Sequence, residues 1–349
     1  MKKQLLCAAL ALGAAVVPLG LTGCAKQAQT LNLYTWEGMF PQEVLDGFSK
    51  QYNVKINYTN FDYDEDMLAK LEETKGGDYD VVIADDYILE LAIQEGLAQK
   101  LDTGKISSYG NINPLYQGYF YDPDNEYTVP YGAGIPLIVY NPAMVSKPIT
   151  SYADLWDESL KNNLAILGNY RVIDGITLMS MGKSMNDPDL ATIKEAGYRL
   201  LGLAPNIRII SDTNAQDYLV SGEVAAGFLY TSQVVAALQA NPDLKVVYPT
   251  EGLGFGIMAA FIPSKAPNAS VAYEFLDYIN QPENAAKCYE YIGYYCTNKA
   301  AEPYISDAMK QFLIVPDSVT KGEIVQNLPQ EAEDQHSANW DAFRQACGQ

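Results

Sequence analysis

Apolar positions return along this chain with two alternating periods. The short apolar run LNLYTW (31–36) reads as a buried strand, and PQEVLDGFSKQY (41–52) reads as a helix with Pro41 at its first position. VKINYTN (54–60) is the next strand. YDEDMLAKLEETK (63–75) places Met67, Leu68 and Leu71 on one helical face, behind an acidic first turn that suits the helix dipole. YDVVIA (79–84) is a buried strand, and YILELAIQEGL (87–97) a helix ending near Gly96. Such alternation predicts a parallel sheet covered by helices.

The pattern then changes. In YTVPYGAGIPLIVYNPAMV (127–145) two apolar runs flank Gly132, Ala133 and Gly134 before Asn141 and Pro142 turn the chain, as in a strand that crosses between lobes. A second alternation runs through LAILGNY, TLMSMGKS, ATIKEAGYRLLGL, IRII and AQDYLVSGEVAAGFLYTSQVVAALQ. LKVVYPTEGLGFGIMAAFIP (244–263) reads as a return crossing, and 268–292 as a pair of helices. The expected fold class is α/β: two lobes, each a mixed sheet flanked by helices, with a cleft between them. Residues 31–133 plus 255–297 form the first lobe and 134–254 plus 298–349 the second. Ligands of open α/β sheets meet the carboxyl ends of strands, so Trp36 and Glu37, just past the first strand, are candidates for a binding wall.

The first 23 residues change the picture of where this body resides. Lys2 and Lys3 precede an apolar run and then small residues, the pattern of a secretory signal. Leu21, Thr22, Gly23 and Cys24 resemble the bacterial lipobox, which implies acylation of Cys24, a linker over 24–30, and a body lipid-anchored at the extracytoplasmic face of the cell membrane. The apolar run from Leu5 to Leu21 is a little short of the roughly 20 residues of a membrane-spanning helix. With Cys7 in the signal and Cys24 acylated, Cys288, Cys296 and Cys347 remain, and their spacing leaves open whether two of them pair. His336 is the only histidine and no Cys-x-x-Cys occurs, which disfavours a metal site.

The 349 residues carry a formal net charge of −20. That balance argues against a nucleic-acid partner, which needs clustered Lys and Arg, and suits cationic ones, although acidity also serves solubility. No nucleophile elbow or phosphate loop is present, so neither an enzyme nor a cofactor is expected. His336 lies in the polar stretch EAEDQHSANW and reads as a solvated side chain. The acidic run Asp62 to Asp66 lacks the glycine and spacing of a calcium loop and reads as the acids of a helix start.

In chain order, the lipobox, LYTWEGMFPQEVLDGFSKQYNVKINY, LAKLEETKGGDYDVVIADDYILELAIQEGLAQKLD, YTVPYGAGIPLIVYN, SYADLW, VSGEVAAGFLYTSQVV, YPTEGLGFGIMAAFIP and YIGYYCTNKAA resemble the spermidine/putrescine-binding proteins of ABC importers over essentially the whole mature chain. The resemblance implies a periplasmic-binding-protein-like fold that is monomeric and closes about hinges near Gly132 to Pro136 and Gly252 to Gly256, with a third passage near Cys296 to Ala300. It also implies a small-molecule ligand, a polyamine, delivered to a membrane permease with its ATPase.

Matching positions place Trp36 and Tyr294 in the cleft, Tyr230 where a tryptophan is usual, and Ser211 and Asp212 in a segment that approaches ligand. The departures are as informative. Ala84 and Asp86 stand for a small hydroxyl residue and a tyrosine, Met39 for a tyrosine and Asn169 for an acid. Gly256 and Met258 replace a tryptophan and the amine-binding aspartate. Methionine cannot make a charge-assisted bond to ammonium. Two accounts stay open: Glu37, Asp85, Asp86 and Asp212 have taken over the amine, or the importer's ligand has become a less cationic organic molecule. Of Asp85 and Asp86, one is expected to cap the following helix and the other to face ligand. A lipoprotein that senses a ligand would fit the same pattern.

Overall fold

The structure, a computed structural model, describes residues 29–348. The signal segment and Cys24 lie outside the described residues. Strand β1 (Gln29–Thr35), helix α1 (Gln42–Tyr52), β2 (Val54–Asn60), α2 (Asp64–Thr74), β3 (Val81–Asp85) and α3 (Asp86–Gln94) follow in the expected alternation. β1 pairs in parallel with both β2 and β3. It begins within the stretch read as linker, because Gln29 and Thr30 pair with Val54 and Lys55.

β4 (Thr128–Gly134) leads through Ile135 and Pro136 into β5 (Leu137–Tyr140), and the two strands belong to different sheets. Next come β6 (Leu164–Ile166), α4 (Tyr170–Ser180), α5 (Leu190–Leu201), β7 (Ile207–Ile210), α6 (Ala215–Val220), β8 (Ala226–Leu229), α7 (Thr231–Ala240) and β9 (Lys245–Val247). They build the second sheet, in the order β7-β6-β8-β5-β9. The long strand β10 (Leu253–Phe261) returns to the first sheet, where it runs antiparallel to β3 on one side and β4 on the other. The strands read from strand-helix units are therefore parallel, while the crossing strands turn each sheet into a mixed one.

Helices α8 (Ala269–Ile279), α9 (Pro282–Ile292) and α10 (Asp307–Leu313), strand β11 (Gly322–Ile324) and helix α11 (Gln330–Ala346) complete the chain. β11 pairs with β10, and α10 packs on α9, so the stretch from 298 to 324, read as part of the second lobe, sits on the first-sheet side. Only α11 crosses to the second sheet, where it packs on α4 and α5.

The packing of α11 corrects the reading of His336. His336, Asn339, Trp340 and Phe343 share the buried face of that helix, and the His336 Nδ1 lies 2.7 Å from Asp174 Oδ2 with both side chains fully buried. Asn339 donates to the same carboxylate and to the Ile193 carbonyl. A polar-looking tail segment is thus an amphipathic helix whose buried His336 and Asn339 both meet the Asp174 carboxylate. Cys288, Cys296 and Cys347 are free thiols, the first two buried.

The crossing from β4 to β5 is pinned by one hydroxyl. Thr231, at the start of α7, accepts a hydrogen bond from the Ile135 N–H at 2.8 Å and donates to the Ile135 carbonyl at 3.1 Å. Thr231→Val keeps the shape and leaves both backbone groups buried and unpaired. It is expected to cost about 2–4 kcal/mol, read from urea unfolding; a loss within about 0.5 kcal/mol, the usual range for a surface change, would show that the crossing does not depend on it.

Candidate functional site

A cleft of about 530 Å³ opens between the two sheets. Its first-sheet wall is built by one row of residues. Across the ladders Met258 lies opposite Asp85 on β3 and opposite Gly132 on β4. Opposite residues present their side chains to the same face, so Asp85 stands beside Met258 at the cleft.

The glycines of β4 complete the row by what they omit. A Cβ on Gly134 would come within 3.2 Å of the Tyr294 ring, and one on Gly132 within 3.3 Å of the Met258 methyl. Tyr294 therefore packs close against bare backbone, held there because Tyr295 exchanges two hydrogen bonds with Ala133.

Asp85 and Asp86 divide their roles by backbone position. Asp85 is the N-cap of α3, yet its side chain makes no capping bond and remains half-buried on the cleft wall. Asp86, the first helical residue, is buried, and its Oδ2 accepts the Ile257 N–H at 2.8 Å. Burial raises the Asp86 carboxyl to about 7, against the pull of its bonds to the Ile257 and Tyr87 N–H groups. Asp85 is pushed well above the usual carboxylate range by burial first, then by Asp64 and Asp86.

Asp64 is the member that the sequence reading passed over. It begins α2 but is buried, touches Tyr87 through a 3.3 Å hydrogen bond, and has its carboxyl raised to about 6 chiefly by burial. Acids in a first helical turn are ordinarily solvated, so nothing in that run singled it out. No Lys or Arg forms an ion pair with Asp64, Asp85 or Asp86 among the described residues.

The second-sheet wall has a different chemistry. Asn169 caps α4 by accepting the Val172 N–H, and Tyr230 is oriented by its own N–H, which donates to Gln233 Oε1. Both line the cleft with Val172 and Met185. Burial, and after it Asp212, raises the Tyr230 hydroxyl far above its ordinary range. Arg171, also unforeseen, is buried at the rim and ion-paired with Glu333 at 2.7 Å, while Tyr170 holds the other Glu333 oxygen at 3.2 Å.

The remaining candidates lie outside this lining. Trp36 is half-buried past the end of β1, its ring 5.0 Å from that of Phe61 and its carbonyl accepting the Tyr58 hydroxyl. Glu37 is exposed in the turn that follows. Ser211 closes a local turn through Asn214 and Thr213, and Asp212 Oδ1 accepts the Gly168 N–H at 2.7 Å behind Tyr230. Gly256 lines the cleft, where its lack of a side chain leaves the Asp86 carboxylate uncovered.

Comparison with known proteins adds a family. Residues 43–312 match the family described as bacterial extracellular solute-binding protein. The spermidine/putrescine-binding periplasmic protein of Salmonella typhimurium is 32% identical over 317 residues, covering 89% of this chain and 91% of the relative. Its Escherichia coli namesake is 31% identical over 312 residues, covering 88% and 90%. A solved structure of a spermidine/putrescine ABC transporter substrate-binding protein from Streptococcus pneumoniae superposes with a TM-score of 0.82 at 29% identity, covering 91% of this chain and 99% of that one.

The raised carboxyls fix a pH dependence. Asp86 titrates near 7 when folded and near 3.8 as a free carboxyl, so the folded state holds the extra proton between those values and gains stability as pH falls through 7. Urea unfolding of the ligand-free protein is expected to show about 2 kcal/mol more stability from Asp86 at pH 5.5 than at pH 7.5, a gain that Asp86→Asn abolishes. An equal gain in that variant would remove Asp86 as the source.

Proposed function

Because the chain belongs to the bacterial extracellular solute-binding proteins, we propose that its cleft captures an amine of the polyamine class and delivers it to the permease of an ABC importer. The observation that carries this reading is the set of buried, cation-free carboxylates at the cleft wall, on a scaffold whose relatives are named for spermidine and putrescine. A buried charge needs a partner, and an ammonium supplies both the opposite charge and three N–H donors. Asp85 is its anchor, Asp86 holds α3 to β10 and adds field, and Tyr294 and Tyr230 offer aromatic faces to the alkyl chain and the cation.

Ligand that touches both walls binds the closed arrangement better than the open one and so shifts the population toward closure. The Ile135–Pro136 passage and the β9–β10 passage are the segments that flex. Gly252, at φ +115°, lies in the second of these. The closed monomer then docks on the permease. Acylation at Cys24 tethers the body to the membrane surface. No helix among the described residues is long and apolar enough to cross a bilayer.

Calorimetric titration of the refolded, ligand-stripped protein with putrescine and spermidine tests the reading. Micromolar or tighter binding is expected for at least one amine, and Asp85→Asn should weaken it about 10- to 100-fold, the worth of one charged hydrogen bond. Unchanged affinity in that variant would take Asp85 out of the site.

A further inference from the structure

Strand β10 is buried along its whole length except at one residue, Gly256, which is half-buried. Gly254, Gly256 and Met258 present the same face to the cleft, as the two-residue period of a strand requires. Across the ladder Gly256 lies opposite Gly134, and Met258 opposite Gly132. The cleft floor is therefore largely bare backbone, and most of it is roofed by side chains. A Cβ on Gly254 would come within 3.2 Å of the Met185 methyl, one on Gly134 within 3.2 Å of the Tyr294 ring, and one on Gly132 within 3.3 Å of the Met258 methyl.

Gly256 is different. Among the described residues a Cβ there would meet a single atom within 4 Å, the Asp86 Oδ2 at 3.6 Å. It is an open notch in the floor, with Met185, Tyr294 and Met258 over the neighbouring positions and a carboxylate oxygen on its rim. That oxygen accepts the Ile257 N–H and keeps a further lone pair. Asp85, the ladder partner of Met258, is the diagonal neighbour of Gly256, about 7–8 Å away. Charge and size then say which part of an amine fits. An ammonium group is about as large as the methyl group that an alanine would add, and a shift of roughly half an ångström from that Cβ position brings its nitrogen into hydrogen-bond range of Oδ2. Alkyl carbons in the notch would cover the carboxylate without pairing it, which is costly. They find apolar company instead against the thioethers and the Tyr294 ring.

We propose that Gly256 is the seat of the ligand's primary ammonium, which rests on bare strand backbone between Asp85 and Asp86, and that the missing side chain at this position limits the head group to an unsubstituted amine. The inference rests on the amine reading above. It adds the place where the head group sits and the residue that sets its size.

Calorimetric titration of the refolded, ligand-stripped protein with putrescine, spermidine and N,N,N′,N′-tetramethylputrescine tests it. Gly256 lies outside the left-handed region and an added methyl group makes an ordinary contact, so Gly256→Ala is expected to keep the urea transition of the unaltered protein. It should weaken whichever amine binds by about tenfold or more. The tetramethylated diamine should bind the unaltered protein weaker than that amine by about the same factor. Combined with Asp85→Asn, the losses should fall short of the product of the two single losses, because an ammonium already displaced from its seat has less to lose at Asp85. A merely structural substitution would leave the two losses multiplying. Affinity within about twofold in Gly256→Ala, losses that multiply, or the tetramethylated diamine binding as tightly as the free one would overturn the inference and leave the amine reading standing. Failure of putrescine and spermidine to bind the unaltered protein would refute both.

Discussion

Everything distinctive in this site follows from three carboxylates crowded into one corner without a cation. Asp64, Asp85 and Asp86 reach that corner because β3 ends where α3 begins, and because the first turn of α2 packs beside that junction. Burial and crowding raise all three above the ordinary range, so the corner holds protons that a cationic ligand would displace. An ordinary protein would quench such a corner with lysine or arginine. Here the one arginine in the lining is committed to Glu333, and the corner stays open to the cleft.

On the proposed reading, the position of that corner compensates for a residue the chain lacks. Met258 occupies the place of an amine-binding aspartate in the resemblance, and its register partner across the ladder is Asp85. On the proposed reading the amine-binding carboxylate stands one strand sideways from that place, on the same face. Gly132 and Gly134 keep the far side of the row low enough for Tyr294 to lie over it, so one sheet presents acid, thioether and aromatic ring in sequence. The second sheet lines the cleft with Asn169, Tyr230 and Arg171 instead.

Much of the fold was legible because its signals are backbone signals. Apolar runs such as VVIA and the glycine-proline passage around Ile135 report strands and crossings directly, since burial on both faces and the loss of an N–H leave few alternatives. The site was legible only in part. The pair Asp85 and Asp86 stood out at a strand end, but which of them is left facing the cleft depends on the Ile257 N–H, a group distant in sequence that claims Asp86. Asp64 was hidden because a first-turn acid needs no burial to be explained. His336 was hidden because its helix buries a polar pair, so only Trp340 and Phe343 mark the inner face. Trp36 drew attention by its type, and its ring settles against Phe61 rather than in the lining.

The most direct test of the central claim is to count protons as an amine binds. Titration with putrescine or spermidine at pH 6.5, in two buffers of different ionisation enthalpy, is expected to show release of about half a proton or more per amine bound, as the ammonium replaces protons on the raised carboxyls. Binding with identical heats in the two buffers, and so no proton released, would contradict the assignment of this carboxylate corner as the amine anchor.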